Sequence, residues 1–254
     1  MSIGFEKIFS QKTIDYYLNS LYAENRSPKT VKAYSMNLAL FKKHLGDLKI
    51  LDISAVQIRD FLGARAKTVE PATLHQAFRV LRSFFNWCRR EGFIEKSPME
   101  NIKAPKLVKK VIPTYTREEI QAMLAVCPLK KFKGARDRAI ISIFLDAGIR
   151  EAELVGMKLN DVDFRGGAIK VFGKGDKERI VHISEKARQA LWRYMILRDL
   201  KAGNNQRVFL SESGKSLTED GLRTVIKKIG RAAGVQEVYI HKFRHTCAMA
   251  FLRR

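Results

Sequence analysis

Apolar residues recur at helical spacing through the N-terminal part of the chain. Ser27 and Pro28 form a helix start, and the apolar positions that follow lie three or four residues apart up to Gly46: Val31, Tyr34, Leu38, Phe41 and Leu45. The same spacing predicts one helix through Ile14, Tyr17, Leu18 and Leu21, another after Ser54 with Val56, Ile58, Phe61 and Leu62, and a fourth from Pro71 to Gly92. No strand is needed to account for this part of the sequence, so the pattern predicts a four-helix bundle.

The pattern in the second half of the chain is mixed. Thr116 and Glu119 form a capping box, and the apolar stretch 138–145 indicates a buried helix that is broken at Gly148. Two short strands are predicted at 168–172 and 178–183 around a turn, and three further helices at 184–200, 218–233 and 245–252. The predicted fold class is mainly α with a small β-hairpin or sheet (α+β), a helical bundle followed by a mixed domain.

Between the two halves the composition changes. Pro98, Pro105 and Pro113 interrupt a stretch that also carries four lysines, which is typical of a basic linker between domains. The sequence therefore predicts a helical domain at 1–102, a linker at 103–113 and a mixed domain at 114–254.

Net charge separates this chain from an ordinary globular protein. It holds 48 Lys and Arg against 26 Asp and Glu, a formal charge of +22. Residues 1–110 carry 20 basic and 10 acidic side chains, and residues 111–254 carry 28 and 16, so both halves are expected to contact a polyanion. Nucleic acid is the commonest one, and charge alone leaves an RNA-binding protein open. The candidate DNA contacts are Lys29, Lys32, Arg79, Arg82, Lys103 and Lys106.

The expected compartment is the cytoplasm. Cys88, Cys127 and Cys247 are odd in number and lie far apart, which favours reduced thiols. No apolar run approaches the length of a membrane span, and the N-terminus has no signal-peptide pattern.

Four residues suit the cleavage of a phosphodiester without a metal. Arg150 follows the glycine break after an apolar helix, and its planar guanidinium can donate two hydrogen bonds to a phosphate. Lys174 lies between two glycines in the predicted turn, where an ammonium could protonate a leaving oxygen. His241 and Arg244 are three residues apart, so a helix would place them on one face. Taken singly, Arg150 and Lys174 also fit ordinary surface residues.

A metal site at His241 and His245 is disfavoured. Two of the three residues between them, Lys242 and Arg244, are cations, and no carboxylate is near in the sequence. Such cations would repel a divalent metal ion. His245 better suits an imidazole with an internal partner. No metal and no cofactor are expected.

Three segments together resemble one enzyme family. We call residues 146–154 the arginine motif, residues 173–179 the hairpin motif and residues 241–246 the histidine motif. Their order, and the elements Gly-Ile-Arg-x-x-Glu-Leu, Gly-Lys-Gly-x-Lys-x-Arg and Phe-Arg-His-Thr, resemble the tyrosine recombinases, in which a tyrosine forms a covalent 3′-phosphotyrosine link to DNA. The resemblance extends over nearly the whole chain, and the N-terminal bundle is similar to the family's core-binding domain.

The resemblance implies a role for each candidate residue. Arg150 and Arg244 would bind the scissile phosphate, Lys174 would protonate the 5′-oxygen, and His241 would handle a proton or hydrogen-bond the phosphate. Glu153 would orient Arg150. The family closes its two domains as a clamp on duplex DNA with an inverted-repeat core site, and four protomers exchange strands without metal or ATP. The implied processes are DNA integration and recombination, such as those of mobile elements.

One family feature has no counterpart in the chain. The family's nucleophilic tyrosine follows the histidine motif, whereas only eight residues follow Thr246 here, and none is a tyrosine. The stop inside a predicted helix leads us to expect a catalytic domain truncated at its C-terminus that cannot itself cleave. The alternative is an inactive DNA-binding remnant or regulator on the same scaffold.

Overall fold

The computed structural model describes residues 9–46, 48–107, 112–173 and 178–252. Contacts divide the chain into two compact units, Met1–Lys110 and Val111–Arg254, each with its own hydrophobic core. The domain bounds at 102 and 114 stay a prediction. No helix in the described ranges is both long enough and apolar enough to cross a bilayer.

The N-terminal unit contains the four predicted helices. They are α1 (Gln11–Ala23), α2 (Pro28–Leu45), α3 (Ala55–Ala66) and α4 (Pro71–Arg90), with a short 3-10 helix at Ile50–Asp52. The Ser27 hydroxyl accepts the Thr30 N–H at 3.2 Å, and Gly46 ends α2 at a φ of 69°, as the sequence indicates.

An aromatic cluster fills the core of this unit. Phe41 contacts Phe61 and Phe85 with ring centroids 5.0 and 6.2 Å apart. The predicted apolar set was wrong at Val56, which is 69% exposed, because α3 turns Ile58, Phe61 and Leu62 inward instead.

The C-terminal unit surrounds a buried helix, α6. Its elements are α5 (Arg117–Ala125), α6 (Phe132–Ala147), α7 (Glu151–Gly156), β1 (Val162–Asp163), β2 (Ala168–Phe172), β3 (Glu178–His182), α8 (Glu185–Ala202), α9 (Glu219–Ala232) and α10 (Ile240–Leu252). The strands form an antiparallel sheet in the order β1-β2-β3. Helix α6 packs against α8 and α10, and Ile140, Ile141 and Phe144 on α6 are fully buried.

Helix α10 begins earlier than the sequence predicts. It starts at Ile240 rather than His245, because Ile240 and Phe243 are buried and their packing stabilises the additional helical turn. The whole histidine motif therefore lies on one helix. The predicted turn between β2 and β3 falls mostly on residues 174–177, which lie outside the described residues.

Candidate active site

Arg150 is positioned by a sharp turn between two helices. Helix α6 ends at Gly148, which has left-handed backbone angles (φ 53°, ψ 31°) and donates its N–H to the Phe144 carbonyl at 3.1 Å. Ile149 is fully buried, and Arg150 is the residue that precedes α7. The Arg150 side chain is 50% exposed, so it is open to solvent although the preceding residue is buried.

Glu153 holds that guanidinium in place. One Glu153 oxygen accepts the Arg150 backbone N–H at 2.7 Å, and the other accepts Arg150 Nη1 at 2.8 Å. Arg179 donates Nη1 and Nη2 to the same two oxygens, both at 2.8 Å. Burial alone would raise the pKa of Glu153, but the hydrogen bonds from Arg179 and Arg150 outweigh it and lower that pKa to about 2. The carboxylate is therefore ionised, and both of its oxygens accept hydrogen bonds.

Arg179 is a site residue that the sequence analysis did not assign. It is the last residue of the hairpin motif and pairs with Val171 in the register of β2 and β3. Its ion pair with Glu153 attaches β3 to α7, although the two residues are 26 positions apart. The signal in the sequence was the arginine that ends the hairpin motif, but its partner depends on the strand register.

Arg244 comes to the same turn from α10. Its Nη1 donates to the Gly148 carbonyl, two residues before Arg150. Cys247, one turn later on α10, donates Sγ to the Asp146 carbonyl at 3.3 Å. The structure thus brings Arg244 to the turn that carries Arg150.

His241 lies on the first turn of α10 and is exposed. It is three positions before Arg244, so both lie on one side of the helix. The His245 ring meets the His241 ring edge-on, with centroids 6.4 Å apart. In the part of the chain that the structure describes, no group of three or more His, Cys, Asp or Glu side chains could hold a metal ion.

Tyr115 and Lys242 fix the start of α10. The Tyr115 hydroxyl donates to the Tyr239 carbonyl at 3.1 Å and accepts the Tyr239 N–H at 3.0 Å. The Tyr115 N–H donates to the Thr246 hydroxyl at 2.9 Å. The buried Lys242 ammonium lies 4.4 Å from the centre of the Tyr115 ring and 3.9 Å from a Glu119 oxygen. The sequence analysis missed these contacts, which join segment 115–119 to the histidine motif.

A second ion-pair network flanks Arg150. Arg223 on α9 pairs with Glu151 at 2.8 Å, and also with Glu219 and Asp220 at 2.9 and 2.7 Å. These carboxylates occupy the Arg223 guanidinium, whereas Arg150 shares its single carboxylate with Arg179.

The remaining candidate residues divide into two groups. Lys174 lies outside the described residues. The six candidate DNA contacts are all exposed, on α2, on α4 and in the segment without helix or strand after Ile102: Lys29, Lys32, Arg79, Arg82, Lys103 and Lys106. Arg82 lies over the Phe78 ring at 5.5 Å.

Solved structures identify the fold. The fold matches an XerH site-specific recombinase bound to a palindromic difH substrate with a TM-score of 0.76 at 22% identity, covering 96% of this chain and 74% of that one. It also matches a lambda integrase tetramer bound to a Holliday junction with a TM-score of 0.74 at 17% identity, covering 96% and 73%. The fold is therefore that of the tyrosine recombinase and integrase enzymes, mainly helical with a small antiparallel sheet.

Sequence comparison identifies the family. Residues 113–254 match the phage integrase family, and residues 6–92 match the N-terminal SAM-like domain of phage integrases. The chain is 33% identical to tyrosine recombinase XerC of Oceanobacillus iheyensis over 94% of its own length and 82% of that protein. It is 32% identical to XerD of Staphylococcus epidermidis, over 94% and 84%. The chain belongs to the phage integrase family, and it is a tyrosine recombinase of the Xer type, a DNA breaking and rejoining enzyme.

Proposed function

We propose that the substrate is duplex DNA with an inverted-repeat core site, and that its scissile phosphate binds at the turn between α6 and α7. One observation carries this proposal: Arg244 donates to the Gly148 carbonyl, so two motifs far apart in sequence bring their guanidiniums to one turn. Phosphodiester cleavage gathers negative charge on the non-bridging oxygens, and fixed guanidiniums stabilise that charge. The XerH structure, whose substrate is a palindromic difH site, supports the symmetry of the site.

The other residues take complementary roles in this proposal. His241, exposed beside Arg244, handles a proton or hydrogen-bonds the phosphate, and Lys174 protonates the 5′-oxygen as it leaves. Glu153 and Arg179 do not touch the phosphate but hold Arg150 in position. The reaction in this scheme uses neither a metal ion nor ATP.

The nucleophile is not assigned to any tyrosine of these 254 residues. Tyr17, Tyr115 and Tyr194 are buried, and each hydroxyl is hydrogen-bonded inside the protein, to Ser83 Oγ, the Tyr239 carbonyl and the Val208 carbonyl. Burial raises the pKa of Tyr194 to about 12, which opposes formation of a phenolate. Tyr239 is 39% exposed but precedes His241, and its backbone is held by Tyr115.

Assembly and compartment complete the proposal. Four protomers would act together on DNA, in keeping with the lambda integrase tetramer that shares this fold. DNA as the substrate and three free, buried cysteines favour the cytoplasm. A regulator without enzymatic activity is disfavoured, since the relatives are recombinases.

Selection of bound duplexes from a random pool tests the substrate. The recovered sequences should contain two inverted half-sites, and a duplex RNA competitor should displace them poorly. Arg150→Ala should bind the selected duplex with nearly unchanged affinity, because its guanidinium acts mainly on charge that develops in the transition state. Recovery of unrelated sequences, or preference for RNA, would refute the proposed substrate.

A further inference from the structure

A basic cavity lies within the N-terminal unit. Its volume is about 490 Å³, and it is lined by the end of α1, the first half of α2 and the second half of α4. Tyr17 and Trp87 form its inner wall and are almost completely buried, and their rings lie 5.3 Å apart. The inner wall is therefore part of the packed core of this unit.

Four guanidiniums line this cavity, which we call the arginine pocket: Arg26, Arg79, Arg89 and Arg90. Glu24 is the one carboxylate among the lining residues, and it pairs with Arg26 at 3.3 Å and with Arg90 at 3.7 Å. Among the described residues Arg79 and Arg89 have no carboxylate partner, so the pocket keeps a charge of about +3. Four positive charges that share one counter-charge favour an anionic ligand.

The uncharged polar groups of the arginine pocket suit a phosphate oxygen. Thr30, Ser83 and Asn86 contribute hydroxyl and amide groups to its lining. Thr30 lies in the first turn of α2, an 18-residue helix, and helix N-termini favour anions. A divalent cation would be repelled by the guanidiniums, and an apolar ligand would bury them without partners.

We propose that the arginine pocket binds one phosphodiester group of the DNA duplex. The inference rests on the proposed function, since it needs duplex DNA as the substrate, and it adds Arg26, Arg89 and Arg90 to the DNA contacts predicted from sequence. Arg79 is the one predicted contact that lines the pocket. Guanidiniums match the phosphate geometry, so the pocket would fix the register of the N-terminal unit on the duplex without reading its sequence.

Tryptophan emission reports on the pocket directly. The chain has two tryptophans, Trp87 in the pocket wall and Trp192, which is 57% exposed on α8. In a Trp192→Phe background, addition of the selected duplex should change the emission of Trp87. Unchanged Trp87 emission with the duplex demonstrably bound would overturn the proposal.

Three variants, each lowering the net charge by one unit, separate the pocket from general electrostatics. Arg89→Gln removes an unpaired guanidinium, and Asn86→Asp places a carboxylate in the pocket. Arg59→Gln on α3, exposed and not a lining residue, is the matched control. We expect Arg89→Gln and Asn86→Asp to weaken duplex binding about ten-fold, as loss of a charge-assisted hydrogen bond does. The log–log salt slope should become shallower by about 0.9 for the lost phosphate contact.

The results distinguish this inference from the proposed function. If the wild-type chain binds no duplex, the proposed function fails. If it binds and all three variants bind equally well, the proposed function stands and the arginine pocket is refuted. In a last experiment, Trp87 emission is compared in sodium phosphate and in sodium chloride at equal ionic strength. A change in Trp87 emission with phosphate but none with the bound duplex would mean that the pocket binds a free anion, which would overturn its assignment to the duplex.

Discussion

Glu153 connects the arginine motif to the hairpin motif in the candidate active site. It accepts hydrogen bonds from the Arg150 backbone, the Arg150 guanidinium and the Arg179 guanidinium while only 2% of its side chain is exposed. The sequence motif predicts that an acidic residue orients Arg150. It cannot predict Arg179 as the second partner, because that contact exists only when β3 pairs with β2 in the observed register.

The first prediction concerns the pH dependence that Glu153 gives to stability. Folding lowers its pKa from 4.5 to about 2, so its contribution is complete above pH 4.5 and is lost as the pH falls toward 2. A shift of this size corresponds to about 3 kcal/mol at neutral pH. Glu153→Gln should therefore lower the free energy of unfolding at pH 7, measured by urea denaturation.

The difference between wild type and Glu153→Gln should shrink as the pH is lowered below 4.5. A difference that stays constant from pH 7 to pH 3 would show that the ionised carboxylate does not contribute in this way.

At the scale of elements, the position of α10 decides whether His241 and Arg244 reach the site. Periodicity located the long helices because their apolar faces are buried within one unit, and the predicted caps at Ser27 and Thr116 are present. It missed the first turn of α10, the six-residue α7 and the two-residue β1. Such short elements are stabilised by tertiary contacts, which a local pattern does not contain.

The second prediction tests the contact that fixes the start of α10. Tyr115→Phe removes the hydroxyl between the Tyr239 N–H and carbonyl and leaves that N–H without its partner. We expect a loss of about 1–2 kcal/mol in the free energy of unfolding. Tyr22→Phe is the control: Tyr22 is 55% exposed, and its change should stay within about 0.5 kcal/mol. Equal effects of the two variants would argue against the role of Tyr115.

The third prediction tests the turn between α6 and α7. Gly148→Ala places a side chain at a φ of 53°, and the new Cβ would lie 3.1 Å from Cys247 Sγ. The left-handed conformation alone should lower stability by about 1–2 kcal/mol. Gly63→Ala on α3 has open space around it and should instead stabilise by about 0.5–1 kcal/mol. Thermal unfolding of the two variants should shift in opposite directions, and shifts of the same sign would contradict the account.

At the scale of the whole molecule, positive charge is spread over both units. The excess is 20 basic against 10 acidic residues in 1–110 and 28 against 16 in 111–254. Composition was enough to predict a polyanionic partner for both halves. It could not locate the arginine pocket, whose residues come from three helices and meet only in the folded unit.

The fourth prediction follows from that distribution. Residues 1–110 and 111–254, expressed separately, should each bind duplex DNA weakly, because each carries its own excess of basic residues and its own core. The log–log slope against salt should be roughly −0.9 per phosphate neutralised, and the slopes of the two parts should add up to that of the whole chain. Full affinity in one part and none in the other would contradict shared binding.

The central claim is that Arg150 and Arg244 activate a phosphate in a chain of 254 residues that carries no tyrosine after Arg244. Hydrogen peroxide, as a small external nucleophile, tests this claim most directly on the selected duplex, with products resolved on a denaturing gel. We predict no covalent protein–DNA adduct without peroxide, strand cleavage with it, and loss of that cleavage in Arg150→Ala and Arg244→Ala, because peroxide supplies an in-line nucleophile that no tyrosine of these 254 residues is assigned to supply. A covalent adduct that maps to Tyr239 or another tyrosine of this chain, or peroxide-dependent cleavage that persists without the two arginines, would contradict the account.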